Sequence, residues 1–133
     1  MNELRQGRCL CGAVSYSVAG EPGSVRYCHC TMCRRQTGHF LAAISLKAEQ
    51  VKIDGAEAVT WYESSDEAER GFCARCGSVL FWREKGSEGL AVAAGSLDLP
   101  TGLKSEAHIF VADKGDYYEI NDGLPQYAES DVS

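Results

Sequence analysis

Apolar and polar residues alternate with a period of two along most of the chain, the pattern of strands that bury one face. Val14, Tyr16 and Val18 share a face of a first strand, and Phe40, Ala42, Ile44 and Leu46 share a face of another. Shorter pairs repeat the pattern at Val51 and Ile53, Val59 and Trp61, Val79 and Phe81, Leu90 and Val92, and His108 and Phe110. A mainly β fold is therefore predicted. One helical turn interrupts it from Thr31 to Gln36, with Thr31 placed as N-cap and Gly38 as the stop. Ser64 and Glu67 also have capping-box spacing, but no apolar run follows them, so residues 63–69 read as a solvated hairpin loop.

Length and charge narrow the picture. The 133 residues make one domain, spanning 1–133, large enough to bury roughly two thirds of its unfolded surface. The sequence contains no internal repeat, low-complexity segment or sign of a second domain, and Gln126 to Ser133 reads as a frayed acidic tail. No apolar run approaches the roughly 20 residues of a membrane span. The polar stretch Met1 to Gly7 has no apolar core of a secretory signal, so a soluble, cytoplasmic protein is expected. A formal charge of −6 disfavours nucleic acid, whose phosphates an acidic surface repels.

The seven cysteines change the picture most. They form Cys9-x-Cys11, Cys28-x-Cys30-x-x-Cys33 and Cys73-x-x-Cys76. Structural disulfides are rare in a reducing cytosol, the count is odd, and cysteines two apart are poorly placed to bridge each other. Thiolates at these spacings instead close on a soft cation, and Zn²⁺ takes them tetrahedrally at about 2.3 Å. Seven sulfurs cannot fill two four-coordinate sites. Two zincs would thus leave one site closed, as structural zincs are, and one with a vacancy, as catalytic zincs have.

Glycine follows the last sulfur in both Cys11-Gly12 and Cys76-Gly77, where a tight turn at positive φ lets backbone N–H groups face the thiolate. Two such turns facing each other pair Cys9 and Cys11 with Cys73 and Cys76. Loop entropy does not forbid the long closure, since it grows by only roughly 0.6 kcal/mol per doubling of length. Cys28, Cys30 and Cys33 are left to cap one face of a second zinc. Three thiolates outweigh the charge of the metal, so this site is a modest Lewis acid that suits a soft fourth ligand, the thiol of a small substrate bound as thiolate. A histidine completing the site would instead make it purely structural.

Of the three histidines, His29 lies between two ligands and should point away from them, as a supporting group or proton carrier. His39 reads as a partly exposed residue at a strand start and His108 as a satisfied core or edge residue. Arg34 and Arg35 follow Cys33 directly. They can pair with substrate carboxylates or compensate a helix C-terminus.

Taken together, Gly7-x-Cys9-x-Cys11-Gly12-x-x-x-Tyr16, Cys28-His29-Cys30-x-x-Cys33-Arg34-Arg35-x-x-Gly38 and Phe72-Cys73-x-x-Cys76-Gly77-x-x-Leu80 resemble the glutathione-dependent formaldehyde-activating enzyme family, which also includes centromere protein V. Gly95-Ser96-Leu97-Asp98, His108-Ile109-Phe110-Val111 and Asp122-Gly123-Leu124-Pro125 extend the resemblance over nearly the whole chain. Where many members have a tryptophan after the C-terminal strand, Tyr117-Tyr118 keeps an aromatic wall here. The resemblance implies a β-tent fold of several bent antiparallel sheets. It also implies a structural zinc on Cys9, Cys11, Cys73 and Cys76 and a catalytic zinc on Cys28, Cys30 and Cys33. The implied activity is carbon–sulfur lyase chemistry, the formation of S-hydroxymethylglutathione from formaldehyde and glutathione. The alternative is a non-catalytic zinc module that binds a protein partner.

Overall fold

The computed structural model describes residues 4–130, and they fold as two β-sheets and one short helix. The smaller sheet has the order β1-β2-β5, formed by Arg5–Arg8, Ser15–Val18 and Val51–Asp54. The larger one has the order β10-β3-β4-β9-β8-β7-β6. In chain order its strands are β3 (Val25–Cys28), β4 (Leu41–Lys47), β6 (Val59–Glu63), β7 (Ala68–Cys73), β8 (Val79–Glu84), β9 (Gly89–Ala93) and β10 (Ser105–Ile109). All strand pairings are antiparallel except β10 with β3, and the expected bent antiparallel sheets are present with one parallel strand at an edge.

The predicted inward faces make the core. Val14, just before β2, and Tyr16 and Val18 on it are buried with Ile44, Leu46, Phe81, Leu90 and Val92 of the large sheet. The edge of the Tyr16 ring meets Phe81 at 5.7 Å between centroids. Gly7 faces Tyr16 across β1 and β2, and a methyl group at Gly7 would lie 2.4 Å from the Tyr16 ring and 2.6 Å from the Ser96 carbonyl. Only glycine allows that approach, and it seats Tyr16 so that its hydroxyl meets Ser96 Oγ at 2.5 Å. The two sheets are thereby locked through the turn at Ala94–Ser96.

Simple alternation fails where the ladders slip. In β8 both Leu80 and Phe81 are buried, because the register against β7 shifts between Gly71 and Phe72 and inserts Leu80 as an extra residue. Phe110 does not continue the face of His108. It leaves β10 with φ of 55°, in the left-handed region, and starts a short 3₁₀ turn. Phe40 likewise precedes β4 and packs its ring on Tyr27 instead.

The helix α1 runs from Thr31 to Thr37 and ends at Gly38, whose φ of 86° and N–H to Arg34 O make the left-handed cap predicted for it. The N-cap, however, is Cys30 and not Thr31. Its sulfur accepts the Cys33 N–H at 3.3 Å, and an anionic sulfur at a helix start outcompetes a hydroxyl. The hairpin loop expected over 63–69 is shorter, 64–67, because Glu63 pairs with Glu69 in the β6–β7 ladder, and Ser65 Oγ accepts the N–H groups of Glu67 and Ala68.

The chain end departs from a frayed tail as far as Glu129. Tyr127 N–H bonds His108 O at 2.9 Å and Phe110 N–H bonds Glu129 O at 2.8 Å. The segment covers the outer edge of β10, which would otherwise expose unpaired backbone groups. The rest of the predicted tail, 131–133, lies outside the described residues. Among the described residues no helix is long and apolar enough to cross a membrane.

Candidate metal centres

Two loops from opposite ends of the fold bring four sulfurs together. Cys9 and Cys11 lie on the loop after β1, Cys73 ends β7, and Cys76 lies on the loop between β7 and β8. Gly12 at φ of 82° and Gly77 at φ of 78° turn the two loops as their position after the sulfurs predicted. Backbone N–H groups then face the thiolates, Val14 to Cys9 Sγ at 3.3 Å and Arg75 to Cys73 Sγ at 3.4 Å. Ser78, which the sequence reading missed, ties the loops together: its Oγ accepts Leu10 N–H at 3.0 Å and lies 3.1 Å from Cys76 Sγ. The hydrogen bonds from Ser78 hold Cys76 down at about 5.

These four sulfurs fit a tetrahedral metal. Ligands about 2.3 Å from zinc stand about 3.8 Å from each other. Cys9 and Cys11 are 3.6 Å apart and Cys11 and Cys73 3.8 Å, and all four sulfurs lie within 4.8 Å of one another. The centre joins the small sheet to the far half of the large one.

The second group is local. Cys28 ends β3, Cys30 caps α1 and Cys33 lies on the buried side of its first turn, with all three sulfurs within 4.8 Å of one another. Sulfurs this close cannot all ionise unaided. Hydrogen bonds from Cys28 and Cys33 hold Cys30 at about 2, and Cys28 is pushed far up in return. A divalent cation removes that conflict, so the donor set fits a metal here as well. Among the described residues no fourth cysteine, histidine or carboxylate joins the group.

The histidines behave as supports. His29 is 1% exposed, and both its ring nitrogens are engaged away from the sulfurs, Nδ1 with the Tyr118 hydroxyl and Nε2 with His108 Nδ1 at 2.8 Å. Burial and then the neighbouring His108 push its pKa down to about 4. His108, buried on the edge strand β10, continues the chain to Asp122 Oδ2 at 2.7 Å. His39 is exposed and pairs with the Tyr117 hydroxyl at 2.8 Å, as a residue at a strand start rather than a ligand.

Arg34 and Arg35 both sit in the last turn of α1, where they face the helix C-terminus. Their surroundings differ. Arg35 lines a cavity of about 520 Å³ with Met32, Gln36, Tyr62 and Phe72, and Arg34 does not. The floor of that cavity includes Arg70 of β7, a residue the sequence reading did not single out. Arg70 is 4% exposed and turned to the three-cysteine group, its Nη1 3.4 Å from Cys33 Sγ. The signal was available: Arg70 shares a strand face with the buried Ala68, and a charged residue at an inward position needs a partner.

Comparison with known proteins follows the same lines. The glutathione-dependent formaldehyde-activating enzyme family matches residues 4–113. A Halomonas elongata protein, provisionally named as such an enzyme, is 31% identical over 127 residues, covering 88% of this chain and 81% of that one. An uncharacterised lyase of Schizosaccharomyces pombe is 27% identical over 128 residues, covering 96% and 93%. A crystal structure of a Rhodobacter sphaeroides protein superposes with a TM-score of 0.60 at 23% identity, covering 92% of this chain and 98% of that one, and so shares the fold. The cysteine spacings that carried the resemblance, the mainly β architecture and a family match spanning most of the chain agree, and this protein belongs to the glutathione-dependent formaldehyde-activating enzyme family.

Proposed function

We propose that the protein is a zinc-dependent carbon–sulfur lyase of the cytoplasm that joins a small thiol such as glutathione to an aldehyde such as formaldehyde at the three-cysteine centre. The observation that carries this reading is a group of three sulfurs, Cys28, Cys30 and Cys33, with no fourth protein ligand among the described residues, beside a complete four-sulfur group. A lyase name and a formaldehyde-activating name among the relatives support the same reaction class.

Zinc held by Cys28, Cys30 and Cys33 would supply a soft position that favours the thiolate form of a substrate thiol. The remaining work falls to the chain. Capping by Cys30 and burial of Cys33 fix two sulfurs on one turn of α1, within 4.8 Å of the third on Cys28 at the end of β3. In the forward direction the substrate sulfur adds to the carbonyl carbon, and the proton lost from the thiol ends on the carbonyl oxygen. Arg35, at the rim of the neighbouring cavity, is the better placed of the two arginines to meet a carboxylate of a glutathione-like tripeptide. Cys9, Cys11, Cys73 and Cys76 hold a structural zinc in this reading, which stabilises the sheets and takes no part in the chemistry.

Metal analysis and calorimetry test the proposal together. Up to two zincs per chain are expected, one bound less tightly, and glutathione should bind and release a proton only when the weaker site is filled. A stoichiometry of one under reducing conditions with zinc supplied, or two zincs and no thiol binding, would refute it, and the second result would favour a non-catalytic interaction module.

A further inference from the structure

Arg70 is a buried cation with no carboxylate beside it. Its Nη1 donates to Gln36 Oε1 at 2.9 Å and to Cys33 Sγ at 3.4 Å, and its Nη2 approaches Cys30 Sγ at 4.0 Å. The Nε, fully enclosed, has no hydrogen-bond partner. Among the described residues no acidic side chain forms an ion pair with it. A guanidinium taken out of water carries a penalty of several kcal/mol unless an opposite charge faces it, and the candidates in reach are the sulfurs of Cys30 and Cys33. Among the described residues no arginine or lysine side chain bonds a sulfur of the four-cysteine group. There the sulfurs are met by backbone N–H groups and Ser78.

This asymmetry has a chemical reading, which rests on the assignment of a metal to the three-cysteine group. Three thiolates and a divalent cation leave one negative charge in a largely buried place. That charge repels an anionic fourth ligand and tolerates a neutral one. With the guanidinium against Cys33 the net charge is zero, and an incoming thiolate no longer meets a like charge at close range in a medium of low dielectric constant. We propose that Arg70 is the countercharge of the three-cysteine centre, strengthening its hold on the metal and setting its preference for an anionic over a neutral fourth ligand. Arg70 is a positioning residue in this role. It acts through Cys30 and Cys33 and does not touch the substrate sulfur. Gln36, one turn beyond Cys33 on α1, fixes the guanidinium by accepting its other Nη1 bond.

The test compares the two centres within one molecule. Full-length wild type, Arg70→Met and Arg70→Lys are loaded with Co²⁺, whose thiolate absorption reports each site, and competed with a chelator. The cobalt proteins are then offered 2-mercaptoethanol and, separately, imidazole. In Arg70→Met the weaker site should lose about 10- to 100-fold in metal affinity, the range seen when groups supporting metal ligands are removed, while the stronger site is unchanged. Thiol binding should fall by a larger factor than imidazole binding, and Arg70→Lys should recover most of both. Wild-type affinities at both sites in Arg70→Met, or equal losses for thiol and imidazole, would overturn the proposal. Should Arg70→Met not fold, Arg70→Lys decides: retained affinity supports a charge effect, and loss to the level of a Cys33→Ser control refutes it. A wild-type protein that binds only one cobalt fails at the earlier step, the metal assignment itself, and is distinguished by that stoichiometry.

Discussion

Nε2 of His29 lies 2.8 Å from Nδ1 of His108, and this contact orders the protons of four residues. The Asp122 carboxylate can only accept, so a neutral His108 carries its proton on Nε2 and presents a bare Nδ1. His29 must then donate from Nε2, which leaves its Nδ1 to accept the Tyr118 hydroxyl. Every donor in the row points towards Asp122. The row ties the segment between Cys28 and Cys30 to the C-terminal part of the chain, so the three-cysteine turn is held on both sides, by Arg70 from β7 and, through His29, by His108 from β10.

The end of this row gives a pH dependence. The His108 hydrogen bond, and then the Leu124 N–H, hold the Asp122 carboxyl below its ordinary 3.8. A carboxyl depressed in the folded state binds fewer protons there than when unfolded. Its contribution is thus complete above pH 3.8 and is lost as pH falls through the lower folded value. Thermal melts of Asp122→Asn should show a shallower decline below about pH 4 than wild type. Metal loss in acid is common to both proteins, so parallel curves would show that Asp122 is not coupled to folding.

Gly7 and Tyr16 predict a steric result. An added methyl at Gly7 would meet both the Tyr16 ring and a backbone carbonyl, and the carbonyl cannot swing away. Gly7→Ala should cost about 1–3 kcal/mol, as overpacked cores do. Gly95→Ala is the control, since nothing lies within 4 Å of a Cβ there, and it should stay within about 0.5 kcal/mol of wild type. Denaturant unfolding of the two variants checks the difference.

The division between the two metal groups also has a stability signature. Cys73 is fully buried in the core at the end of β7, where its sulfur meets Cys11 from the loop after β1, and binding energy at a structural zinc is folding energy. Cys73→Ser should lower the melting temperature by roughly 10 °C, the shift that about 2–3 kcal/mol produces in a chain of this size. Cys33→Ser should remain folded and lose the weaker metal alone. Equal thermal losses in both variants would refute the division.

What could be read from the sequence follows from how local each signal is. The cysteine groups were legible because thiolates two or three apart carry their meaning in the spacing, and Gly12 and Gly77 marked the turns. Period two found the core strands but not their ends. Whether Phe110 continues β10 depends on where Tyr127 and Glu129 return, and the burial of Leu80 depends on a slip against β7. Cys30 displaced Thr31 as N-cap because a sulfur carrying charge is a stronger cap than the hydroxyl scale allows. Arg70 stayed hidden for the reason that makes it informative: its partners lie on α1, and only the assembled sheet brings β7 beneath that helix.

Arg34 and Arg35 separate the two roles that their position after Cys33 left open. If both serve only the C-terminus of α1, Arg34→Glu and Arg35→Glu should each cost about 0.3–1 kcal/mol of stability and change the binding of every thiol alike. If Arg35 meets a substrate carboxylate, as its place on the cavity rim supports, the two variants diverge. Arg35→Glu should weaken glutathione binding roughly tenfold, about 1.4 kcal/mol, and change the binding of 2-mercaptoethanol by less than about twofold, since a neutral thiol has no carboxylate to lose. Arg34→Glu should spare both, because its side chain does not line the cavity. The measurement is calorimetry of each thiol against zinc-loaded wild type and both variants at two salt concentrations, and the Arg35 effect should shrink at the higher one. Equal losses for the two thiols would assign Arg35 to the helix rather than to the substrate.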